Sequence, residues 1–214
     1  MSSKGCVDMD VQEIAIRACQ ESKNFLVPGI SEKAFSNKCE EIMYALGAED
    51  LWYPMLVNFN TNSIYCTRGA HLPSDEVILK DSDIVLVDFS PRLKGKWGDY
   101  SETIVIGADE RFTKLVEDAK HIFEQTYSYA ENCKTVGELF HYCNGLIQQS
   151  DYHLLDPYGN IGHTIEDYDN HDKRIFISPE NANVPLKGKK WAIEPHIGLG
   201  KFGAKFENVV TCSY

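Results

Sequence analysis

Two pairs of acidic residues are spaced so that their carboxylates could meet. Asp88 and Asp99 flank a polar turn holding Lys94, Gly95 and Lys96, with β-branched apolar runs on either side. That is the pattern of a β-hairpin, and with its turn centred near Leu93 and Lys94 the two aspartates face each other. Glu194 and Glu207 repeat the design around a glycine-rich turn from Gly198 to Gly203, with their midpoint between Gly200 and Lys201. Facing carboxylates repel, and burying each ion costs several kcal/mol unless a cation lies between them. Four carboxylates balance two divalent ions. Two such ions roughly 3.5 to 4 Å apart, sharing a water, are an arrangement for hydrolysis. His163, in the run Gly162, His163, Thr164, Ile165, would add a nitrogen ligand and move preference from magnesium toward manganese, iron, cobalt or zinc.

The elements that must hold these residues come in two similar series. Apolar residues at Val11, Ile14, Ala15, Ala18, Cys19 and Leu26 predict an amphipathic helix over 11–26, ended by Pro28 and Gly29. Ser31 is a helix cap, Ile30 and Phe35 form a hydrophobic staple, and Phe35, Cys39, Ile42, Met43 and Leu46 make a stripe that Gly47 stops. Irregular strands follow over 51–66, rich in aromatic and β-branched residues, then His71 in a loop and the first hairpin. Asp109 opens a long helix with Phe112, Leu115, Val116, Ala119, Ile122 and Phe123 on one face. Thr135 to Glu138 is a capping box leading into Leu139, Phe140, Cys143, Leu146 and Ile147. Strand, loop and the second hairpin complete the chain. Each half thus reads as helix, capped helix, strands and a two-carboxylate hairpin, which predicts an internal duplication with a pseudo-twofold relation and the four carboxylates at its centre.

Composition narrows the function. At 214 residues and 43% hydrophobic, the chain can bury a substantial core. Its net charge of -11, from 21 basic and 32 acidic residues, argues against a nucleic-acid partner. Seven cysteines with no Cys-x-x-Cys pair suit a reducing compartment rather than a disulfide framework. The N-terminal stretch lacks the features of a signal peptide and no apolar run reaches the ~20 residues of a membrane span, so a cytoplasmic protein without a membrane partner is expected.

The order Asp88, Asp99, His163, Glu194, Glu207 stands in the contexts Val-Asp-Phe, Gly-Asp-Tyr-Ser-Glu-Thr, Gly-His-Thr-Ile, Ile-Glu-Pro-His and Phe-Glu-Asn. It resembles the five-ligand pattern of the pita-bread metallopeptidases: methionine aminopeptidase, Xaa-Pro aminopeptidase, prolidase and their relative creatinase. The resemblance spans about residues 10–213. It implies an α+β pita-bread fold of two pseudo-twofold halves, with 1–214 as a single catalytic domain behind a polar tail over 1–9. It also implies a peptide substrate, admits a homodimer, and calls for two divalent metal ions (Mn, Co, Fe or Zn, with Mn favoured). Carried over, Asp88 would chelate one metal, Asp99 and Glu207 would bridge the pair, and His163 and Glu194 would hold the other. Glu194 would take the proton of the attacking water. His71 resembles the family histidine that contacts substrate near the scissile bond. His171 resembles the one that stabilises the tetrahedral intermediate.

Three features depart from the family pattern. The segment after His163 is Thr-Ile-Glu-Asp-Tyr-Asp-Asn in place of a small, glycine-containing stretch, and His171 falls about one residue late, which makes His196 a substitute for it. The connection from Glu194 to Glu207 is short, opening one rim of the cleft. Lys205 stands where Xaa-Pro peptidases tend to carry arginine and methionine aminopeptidases glutamine. The surroundings of Pro73, Ser74 and Asp75 look closer to the proline-specific branch. The expectation is therefore an exopeptidase of Xaa-Pro aminopeptidase or dipeptidase type, slightly ahead of a methionine aminopeptidase. A peptide- or protein-binding module on the same scaffold and a creatinase-like hydrolase are the remaining readings.

Overall fold

The computed structural model describes residues 9–66, 70–165 and 173–212. The first half begins with helices α1 (Val11–Ser22) and α2 (Glu32–Ala45). The short strands β1 (Asp50–Leu51) and β2 (Leu56–Phe59) come next. The hairpin segments β3 (Asp83–Phe89), β4 (Pro91–Leu93), β5 (Lys96–Trp97) and β6 (Tyr100–Ile106) close the half. The second half repeats the series. It has α3 (Glu110–Ala130), α4 (Val136–Gln148), β7 (His153–Leu154), β8 (Gly162–Thr164), β9 (Lys190–Ile193), β10 (His196–Leu199), β11 (Phe202–Lys205) and β12 (Asn208–Thr211). The first helix is shorter than the sequence predicts, because the chain tightens into a 3-10 turn at Lys23–Phe25.

Side-chain caps start each helix. Asp10, Ser31, Asp109 and Thr135 accept from the backbone N–H groups of Gln12, Ala34, Arg111 and Glu138. Glu138 reaches back to the N–H of Lys134 at 2.6 Å, a variant of the reciprocal cap. Of the strands predicted over 51–66, Asn60–Ile64 is instead a 3-10 turn.

The strand pairing carries the duplication. One three-stranded sheet runs β2-β3-β6 and another β8-β9-β12, and the smaller sheets β1-β4-β5 and β7-β10-β11 match in the same way. The two larger sheets meet where Glu207 N–H donates to the Ser101 carbonyl (2.9 Å) and Ser101 N–H donates back (3.5 Å). Thr103 ties the seam further, its hydroxyl accepting from Lys205 N–H (2.8 Å) and donating to the Lys205 carbonyl (2.9 Å).

The hairpin registers differ in how well the sequence anticipates them. In the second, Ile193 pairs with Asn208 and His196 with Lys205, which sets Glu194 opposite Glu207 as their spacing predicts. In the first, Asp88 pairs with Ser101 and Arg92 with Trp97. The turn therefore centres on Lys94 and Gly95, not on Leu93 and Lys94. Both turn residues have positive φ (53° and 73°), as the favoured two-residue hairpin turn requires. Asp99 consequently lies diagonal to Asp88, not directly across from it.

Alternation along the strands decides what the central face presents. Val85, Val87 and Phe89 pack with Phe35, Cys39 and Met43 in the first core, while Trp191, Ile193, Ala204 and Phe206 pack with Leu115, Leu139 and Cys143 in the second. Asp88, Glu194, Lys205 and Glu207 are the alternate residues of those segments, so they turn away from the helices. Among the described residues no helix is long and apolar enough to cross a membrane.

Candidate metal centre

Asp88, Asp99, His163, Glu194 and Glu207 converge at the seam. All but Glu194 are buried, at 4%, 1%, 3% and 1% relative exposure for Asp88, Asp99, His163 and Glu207. Nδ1 of His163 sits 2.9 Å from the Thr164 carbonyl, which assigns the proton to Nδ1 and turns the Nε2 lone pair toward the carboxylates. Nε2 is 3.5 Å from both Asp99 Oδ2 and Glu194 Oε1. One ligand atom each from Asp99, His163 and Glu207 lies within 4.8 Å of the others. Glu207 Oε1 is buried and accepts no hydrogen bond among the described residues, a cost that a cation would remove. Burial, then the neighbouring Asp99 and Glu194 carboxylates, push the Glu207 carboxyl well above its usual range. The donor set of one imidazole and hard carboxylate oxygens fits a divalent ion.

Lys205 enters the same cluster. Its Nζ donates to Asp88 Oδ2 (2.6 Å), Glu194 Oε2 (2.9 Å) and Glu207 Oε2 (2.9 Å). Burial opposes its charge, but Asp88, Glu194 and Glu207 together outweigh that and hold the amine protonated, well above the usual lysine value.

Several supporting residues escape sequence reasoning because their partners are far away in the chain. The Tyr53 hydroxyl reaches Asp88 Oδ1 and stands 3.2 Å from Asp99 Oδ1. The Gln12 side-chain amide on α1 clamps the Asp99 backbone, donating to its carbonyl (2.7 Å) and accepting from its N–H (2.9 Å). Arg174 lies over the rings of Trp52 and Phe176, at 5.4 and 5.5 Å, with Nη1 3.4 Å from His163 Nε2. Only the hydroxyl of Tyr53, within the apolar run over 51–57, could have hinted at one of them.

The cluster floors a cleft walled by Leu56, Cys66, Tyr158, Asn160, Phe176 and His196. Burial raises the Cys66 thiol to about 11, so it stays protonated at neutral pH and is no nucleophile. His196, the sequence-proposed substitute for His171, is fully buried. Its Nε2 is 2.8 Å from the Ser63 carbonyl, and burial followed by the Lys205 charge lowers it to about 3. It is therefore neutral with its N–H already committed, which does not suit it to donate to a substrate. His71 is not brought to this cleft. Its Nε2 lies 2.6 Å from the buried Glu32 carboxylate, and its ring stacks on Tyr65. His171 lies outside the described residues.

Duplicated α+β halves with an imidazole–carboxylate centre at their seam are the mark of the pita-bread metallopeptidases. The chain belongs to that group: the pattern of metallopeptidase family M24 matches residues 9–213. The methionine aminopeptidase of Pyrococcus horikoshii is 26% identical over 196 residues, covering 90% of this chain and 63% of that protein. The X-Pro aminopeptidase of Thermotoga maritima superposes with a TM-score of 0.80 at 23% identity, covering 95% of this chain and 56% of that one. The methionine aminopeptidase of Thermotoga maritima gives a TM-score of 0.78 at 22% identity, with 95% and 90% covered. The chain thus spans less than two thirds of the first two relatives, and these structural likenesses establish the pita-bread fold.

Proposed function

We propose that this chain is a metal-dependent exopeptidase that hydrolyses the N-terminal peptide bond of peptides, its two halves acting as one catalytic domain. The observation that carries this reading is the convergence of Asp99, His163, Glu194 and Glu207 in a cleft, with the His163 lone pair aimed into the cluster. These four residues would hold a divalent ion, which when bound polarises the substrate carbonyl and lowers the pKa of the attacking water. Manganese is the ion we favour, on the mixture of one nitrogen with carboxylate oxygens. Glu194, its side chain 20% exposed at the cleft floor, is the carboxylate best placed to take the proton from the water and pass it to the leaving amine. Tyr53 and Gln12 hold Asp88 and Asp99 in position. Free thiols at the described cysteines suit a cytoplasmic setting.

For specificity we place Xaa-Pro cleavage ahead of methionine removal. The resemblance of Pro73, Ser74, Asp75 and the strand segment 84–88 to the proline-specific branch supports that order; Lys205 matches neither the arginine of Xaa-Pro peptidases nor the glutamine of methionine aminopeptidases. Methionine removal is the second reading, favoured by the identity to the Pyrococcus horikoshii enzyme. Manganese-loaded protein assayed on Xaa-Pro and Met-Ala peptides tests both. Cleavage of the former supports the proposal, and cleavage of Met-Ala alone reverses the order. Metal-loaded protein that cuts neither overturns the peptidase reading in favour of a binding role.

A further inference from the structure

We propose that this centre holds one divalent ion, not two, and that the Lys205 ammonium permanently fills the second position; the inference rests on the metallopeptidase reading above. The three protons of the ammonium meet three carboxylate oxygens from three residues, Asp88, Glu194 and Glu207, at 2.6 to 2.9 Å. Its donor capacity is therefore fully used. The two glutamates divide their oxygens. Oε2 of each faces Lys205, while Glu194 Oε1 lies 3.5 Å from His163 Nε2 and Glu207 Oε1 has no hydrogen-bond donor among the described residues. The cluster thus has two poles. One is closed by a cation that belongs to the chain. The other is made of Asp99, His163 and the remaining glutamate oxygens: one ligand atom each from Asp99, His163 and Glu207 lies within 4.8 Å of the others, and Glu194 Oε1 lies 3.5 Å from His163 Nε2.

Charge agrees with this division. With all four carboxylates ionised, as ligation requires, and one ammonium, the site carries three negative charges; one divalent ion reduces this to one, whereas a second would make the site positive and lie against the ammonium. Lys205 also has no easy way out. It is 7% exposed, its backbone is fixed on both sides by Thr103, and its strand is paired through His196.

Manganese stoichiometry of the purified chain, by elemental analysis after dialysis and by titration calorimetry, tests the proposal. We expect one equivalent for the parent and two for Lys205→Met. Asp88→Asn should keep its one equivalent with less than the tenfold loss of affinity that removing a ligand or its close partner brings, because Asp88 faces the ammonium. Two equivalents in the parent, or loss of the ion in Asp88→Asn, overturns the inference, and these two measurements decide the matter should Lys205→Met not fold. A parent that binds two ions and cuts peptides removes this inference alone. A parent that binds none removes the metallopeptidase reading as well.

Discussion

Gly162, immediately before His163, has φ of 151°, and a Cβ built on it would lie 2.1 Å from the Ala192 carbonyl oxygen and 3.0 Å from Ile177 Cδ1. Ala192 is the strand partner of His163, so relief cannot come from rotating a side chain; β8 must move off β9. Holding alanine in a sparsely populated backbone region costs about 1–3 kcal/mol, and overpacking typically costs about 1–3 kcal/mol more. Gly162→Ala should therefore lose about 2–6 kcal/mol of the 5–15 kcal/mol typical of a domain, with Tm lower by on the order of 10 °C for a chain of this length. Urea denaturation measures the loss, and manganese titration should show weaker binding because His163 moves with β8. Two other glycines serve as controls, both with nothing within 4 Å of the added Cβ. Gly159→Ala, with φ of 64°, should cost only about 1–2 kcal/mol. Gly145→Ala, inside α4, should gain about 0.5–1 kcal/mol. A Gly162→Ala protein within about 0.5 kcal/mol of the parent, the range of neutral surface changes, would refute the argument from close approach.

Other residues give equally direct tests. Glu207→Gln removes the charge that faces both Lys205 and the His163 pole, and it should abolish peptide turnover and lower manganese occupancy, read by elemental analysis. Glu32 is fully buried and accepts from Phe59 N–H (2.7 Å), from Asn62 (3.1 Å) and from His71 (2.6 Å); Glu32→Ala leaves these donors without their acceptor and should cost about 1–3 kcal/mol by urea denaturation. Gln12→Ala strips the Asp99 backbone of both its clamp bonds and should cost about 1–3 kcal/mol for the groups left unsatisfied, with a lower kcat. His196 is held at about 3, below the ordinary value near 6.5. Between those values the unfolded chain takes up a proton that the native state refuses. Stability contributed there falls as pH drops, by about 1.4 kcal/mol per unit, and His196→Gln should flatten that slope in denaturation series from pH 7 to 4.

The parts of the fold that were legible in the sequence are those governed by local chemistry. Ser31, Asp109 and Thr135 cap helices because a side-chain oxygen two or three residues ahead of an orphan N–H is a local interaction. The second hairpin's register could be counted because its two-residue turn, Gly200 and Lys201, is symmetric about the carboxylates. The first hairpin slipped by one residue at the turn, since a lysine adopting positive φ beside Gly95 has no clear sequence signature. Long-range partners were out of reach. Nothing near Gln12 in sequence announces a contact 87 residues away. Lys205 could be noticed by position, but its insertion among three carboxylates depends on the seam between halves.

A cation that is part of the polypeptide cannot be chelated, diluted or exchanged. Lys205 belongs to the second half and Asp88 to the first, so their contact stitches the halves together where four acids converge. A bound ion stabilises a fold only in proportion to the logarithm of its free concentration over its dissociation constant, which makes such a fold follow the metal supply. The stitch made by Lys205 carries no such dependence. On the proposed metallopeptidase reading, loss of metal would stop turnover without unfolding the chain, and the same molecules would be ready to take up ion again when it returned.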